Sequence, residues 1–85
     1  MSDLGAPSSY LLLTPGVAVV ASDDIQVGTV SRVLADAEID IFDGIVVSTV
    51  DGERLVAGAQ VHEIYDNGVV LNIDAAAVAA LSRPR

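Results

Sequence analysis

Cysteine is absent from this sequence, which removes disulfides, a thiolate nucleophile and zinc sites of the cysteine type. Tryptophan is absent too, and the aromatic side chains come down to one phenylalanine and two tyrosines. Any core must therefore be built from Val, Ile, Leu and Ala, a composition that suits β-structure with an Ala-rich helix added. Positive charge is equally scarce. Four bases, all Arg, stand against 12 acids, for a formal net charge of −8. Binding a phosphate backbone needs clustered cations, so nucleic acid is not expected as a partner, and anionic lipid headgroups are disfavoured for the same reason. Long apolar runs are missing as well. "YLLLTPGVAVVA" is interrupted by Thr14, Pro15 and Gly16, and "MSDLGAPSS" carries an acid where a secretory leader needs positive charge. Neither a signal peptide nor a spanning helix is expected, and the natural reading is cytoplasmic, without membrane insertion.

What is present is 85 residues, 52% of them hydrophobic, enough for one small core. Residues 1–13 read as an N-terminal tail or edge-covering segment. Residues 14–74 read as the folded domain, and 75–85 as a short C-terminal helix and tail. Within the domain, short aliphatic runs alternate with turn residues: "VAVVA" (17–21), "VGTVSRVLA" (27–35), "GIVVSTV" (44–50), "ERLVA" (53–57), "QVHEIY" (60–65) and "VVLNI" (69–73). Asp51-Gly52 and Asn67-Gly68 are two-residue hairpin signals, and Gly28 inside a strand marks a bulge or sharp bend. Six short strands at this spacing predict a mainly β fold, a small six-stranded antiparallel β-barrel, because closure removes exposed sheet edges. Asp74 is placed to cap a helix over "AAAVAALS", with Val78 and Leu81 docking on one face.

Catalytic equipment is thin. His62, the lone histidine, alternates with Ile64 on one strand face and is expected to be partly buried. An enzyme would have to rest on His62 with Glu63 or Asp66, and the sequence identifies no oriented partner for it. No serine sits in a Gly-x-Ser-x-Gly elbow, and no glycine run has the spacing or the lysine of a phosphate loop.

"DAEIDIFDG" (36–44) is the densest acidic stretch. Asp36, Glu38 and Asp40 imitate the first three ligands of a calcium loop, but Ile41 and Val47 stand where that loop needs glycine and glutamate. The stretch reads instead as an acidic connection into the third strand. Its apolar residues Ile39, Ile41 and Phe42, together with Tyr10, Leu11, Leu12 and Leu13, are the candidate interaction surface.

The order "VGTVSRVLADAEIDIFDGIVVSTVDGERLVAGAQVHEIYDNGVVLNI" resembles the PRC-barrel family over about residues 16–74. The shared features are the Gly-Thr-Val strand, the Val-Leu-x-Asp turn, the Gly-Ile-Val-Val strand, a hairpin, the Val-x-x-Ile strand and a closing Gly-Val-Val-Leu strand. Asp23-Asp24 stands where such proteins often carry Asp-Gly, and Ala57 replaces a common proline. The resemblance implies an adaptor or assembly module, not an enzyme, and brings no catalytic residues. The expectation is a non-enzymatic protein-interaction module that binds a protein partner, forms a homodimer, or does both, and uses no cofactor and no metal. The alternative is a small-ligand or divalent-metal-binding β-barrel using Asp36, Glu38, Asp40 and Asp43.

Overall fold

A computed structural model describes residues 4–36 and 38–84. Met1, Ser2 and Asp3 of the N-terminal segment, Ala37 of the acidic stretch and Arg85 of the C-terminal tail lie outside the described residues. The fold is mainly β. Six strands, β1 (Ala18–Val20), β2 (Gln26–Asp36), β3 (Ile41–Thr49), β4 (Gly52–Ala57), β5 (Val61–Tyr65) and β6 (Gly68–Leu71), precede one short helix, α1 (Ala75–Ala79). Asp74 caps that helix as its position requires: its carboxylate accepts from the Ala77 N–H at 2.8 Å.

The sheet order is β4-β3-β2-β1-β6-β5. Two parts of the barrel expectation are corrected here. The sheet is mixed, because β1 and β6 pair in parallel, with Val19 beside Val69. The cause is the link at Gly58–Gln60, which forms a 3-10 turn. It carries the chain from one end of the sheet to the other, where a hairpin would have turned it back on β4. The sheet is also open: β4 and β5 are its two edges. Both edges hydrogen-bond to terminal segments, which take up groups that closure would need. On β5, Ser8 N–H donates to the Ile64 carbonyl, and in the turn that follows Asp66 N–H donates to the Ala6 carbonyl and Asn67 N–H to that of Leu4, at 2.8–3.0 Å. On β4, the Leu55 N–H donates to the Ser82 carbonyl at 2.8 Å.

Every strand still contributes to one core, so the sheet curls around it. Val19, Val30, Ile45, Val47, Val56, Ile64, Val69 and Leu71 form the cluster, and Val78 of α1 closes it. Each such side chain stabilises the fold by roughly 1.5–3 kcal/mol relative to exposure. No charged or polar residue is buried with them among the described residues.

Curling needs close backbone approach, and glycines permit it. A Cβ on Gly28 would lie 2.0 Å from the Ser48 carbonyl oxygen, beside the bulge where β2 passes from β1 to β3. At Gly44, with φ +151°, a Cβ would lie 2.1 Å from the Val56 carbonyl oxygen.

The hairpins are shifted by one residue from the expected turns. Thr49 pairs with Gly52 and Tyr65 with Gly68, so the turns are Val50-Asp51 and Asp66-Asn67. In the first, the Thr49 hydroxyl donates to the Gly52 carbonyl and accepts from the Asp51 N–H, and Gly52 takes the positive φ that follows the turn. In the second, Gly68 is buried in β6, where Leu4 packs within 2.8 Å of the position a Cβ would take.

Candidate functional site

The β2–β3 hairpin is the longest in the molecule and runs past the core. The strands extend to Asp36 and from Ile41, so most of the supposed acidic connection is strand and only a tight turn lies between. Asp40 takes a left-handed conformation there, with φ +53°. Beyond Leu34 and Gly44 the described residues of the arm are exposed except Phe42, which is half-buried and packs against the core.

The N-terminal segment folds onto this arm. Tyr10–Leu12 forms a single 3-10 turn, started by Ser9, whose hydroxyl accepts from the Leu11 N–H at 3.0 Å. The Tyr10 ring stacks on Phe42, with centroids 5.2 Å apart and planes at 18°. Its hydroxyl donates to the Asp40 carboxylate. That bond to a carboxylate, with some burial and the negative charges of Asp40 and Asp36 behind it, raises the Tyr10 pKa above the ordinary tyrosine value.

The seven apolar residues singled out in sequence lie on two segments joined at Tyr10 and divide into two kinds. Tyr10, Leu13 and Phe42 are half-buried against the core, and the Tyr10–Phe42 stack ties the two segments together. Leu11, Leu12, Ile39 and Ile41 stand exposed, at 60%, 73%, 63% and 44%. They do not share one face. Ile41 lies opposite Asp36, and Phe42 opposite Ala35 on the other side of the arm, so apolar groups line both faces and the tip.

The carboxylates of the stretch have local work. The Asp36 side chain accepts from the Glu38 N–H at 3.1 Å, and Asp40 receives Tyr10. Asp43 is exposed at a bulge, where Leu34 and Ala35 oppose Gly44 and Phe42. Among the described residues, no group of three or more His, Asp or Glu comes together to hold a metal ion.

His62 is exposed, not half-buried as alternation suggests. A bulge between Val61 and Glu63 breaks the alternation and turns it out, while Ile64 stays in the core. His62 and Glu63 line a cavity of about 210 Å³ with Ser8, Phe42, Gly58, Val61 and Ile64. It is bounded by β3, the Gly58–Gln60 link, β5 and the N-terminal segment.

A second apolar feature was missed in the sequence. Ile25 and Val50 are 51% and 100% exposed and, with Val27, Ala75, Val78 and Ala79, line a hollow of about 220 Å³ beside α1. The available signal was Val50 directly before Asp51-Gly52, which a one-residue shift of the turn leaves with nothing to pack on.

No helix among the described residues is long and apolar enough to cross a membrane. No family model matches the chain, and no curated protein matches it.

Proposed function

We propose that this chain is a cytoplasmic, non-enzymatic protein-interaction or assembly module of PRC-barrel type, and that the β2–β3 arm with its Tyr10–Leu12 strap is the docking element. The observation that carries the reading is the exposure of Leu11, Leu12, Ile39 and Ile41 on two segments held together by the Tyr10–Phe42 stack. Apolar side chains clustered outside a core mark contact surfaces. An aromatic stack that fixes them in place lowers the ordering cost of docking. The strand-and-turn order that resembles the PRC-barrel family supports an adaptor role.

The test is a pair of measurements on the chain and on the double variant Leu12→Ser, Ile39→Ser, which changes only exposed residues. The proposal expects either self-association at micromolar concentration or a reproducible bound protein, lost in the variant. A monomer by sedimentation that retains the same proteins with or without the two substitutions would rule it out.

A further inference from the structure

Resting on that reading, we infer that the occupant of the β2–β3 arm is a basic amphipathic segment of another protein, not a second copy of this chain. The exposed apolar residues are interleaved with exposed carboxylates: Asp36, Glu38, Asp40 and Asp43 all lie within the same run as Ile39 and Ile41. Asp36 and Ile41 are cross-strand partners, so one segment laid along that face meets an isoleucine and a carboxylate together. No base interrupts the chain between Arg32 and Arg54, and the Tyr10–Leu12 strap is uncharged. Arg54 is engaged elsewhere: its guanidinium donates to the carbonyls of Ala79 and Glu53. The arm is thus apolar with charge of one sign, and its complement is apolar with the other.

A second copy cannot provide that complement. A two-fold contact through the arm would set its acidic run against the same run of the partner, and like charges brought together at an interface are strongly disfavoured. Of the four arginines only Arg83 and Arg85 stand close together, on either side of Pro84, and two charges on a proline-interrupted stretch of a chain with a net charge of −8 are too few to match the acidic run head-to-tail.

The experiment uses the full chain, isotope-labelled, and a synthetic amphipathic peptide of Leu and Lys at helical spacing, with a scrambled isomer of identical composition. The expected result is perturbation of the amides of Leu11, Leu12 and residues 38–42, with the scrambled isomer binding at least about tenfold more weakly. Leu12→Ser with Ile39→Ser should weaken the peptide by a similar factor. Glu38→Gln with Asp43→Asn should weaken it at low salt and flatten its salt dependence. Equal binding of the two isomers, or perturbation spread evenly over Asp23, Asp51, Asp66 and Asp74, overturns the inference. A dimer dissolved by Leu12→Ser with Ile39→Ser overturns it too, while leaving the interaction-module reading intact. If neither the peptide nor a second copy engages the arm, both fall.

Discussion

Tyr10 shows how one side chain can serve structure and presentation together. Its ring packs on Phe42 while its hydroxyl holds Asp40, so the strap and the hairpin tip move as one piece. The bond needs the phenol proton, and the folded state raises the Tyr10 pKa. The sign follows: the contribution is fully present below the unfolded value near 10 and is lost as pH rises through the higher folded value. In a Tyr65→Phe variant, where only Tyr10 absorbs as tyrosinate, the titration midpoint is expected above about 10, and an ordinary midpoint would contradict the hydrogen bond. Gly44 gives a second test at this scale. Gly44→Ala forces a Cβ against the Val56 carbonyl at a positive φ and should cost roughly 2–4 kcal/mol in urea unfolding. Sequence reading singled out both Tyr10 and Phe42 but not the contact that joins them. Spacing along a chain carries no information about which ring meets which across the fold.

At the scale of elements, local rules were legible and global pairing was not. Asp74 was readable as a cap because an N-cap depends only on its own next three residues. Asp74→Ala should cost about 1 kcal/mol and speed hydrogen exchange at Ala77, and an unchanged exchange rate would count against the cap. The hairpins were recognised, but each turn was placed one residue late, because Asp-Gly and Asn-Gly suit either a tight turn or the bulge that follows it. An edge-covering role was one reading of residues 1–13, but the hydrogen bonds made by residues 4–8 were not legible, since those residues carry no strand pattern. Removing residues 1–8 should therefore leave the core standing while the Asp66 and Asn67 amides lose protection and β5 gains a tendency to self-pair. Measured protection that survives the truncation would mean the segment is ornamental to the edge.

For the whole molecule, the decisive terms are an aliphatic core and an uneven charge. The core carries the stability, and the surplus of acids works against compactness by self-repulsion. Raising salt from low concentration to about 0.5 M should raise the melting temperature, since screening acts on exposed charges and leaves the core untouched. A melting temperature that falls with salt would point to stabilising ion pairs instead. The class of fold, the six strands and the helix were legible in residue pattern. Openness and the mixed pairing were not, because they depend on where a three-residue link delivers the chain.

The parallel pair of β1 and β6 bears on how this protein comes to exist. Val19 finds its neighbour only when Val69 has been made, so the first strand waits for the last. The β2–β3–β4 meander is local in sequence and can assemble during synthesis, but the sheet cannot be completed until nearly the whole chain is out. Until then the nascent protein presents the unfilled side of that meander to the cell. That interval, and not the finished fold, is where the chain is most exposed to wrong association.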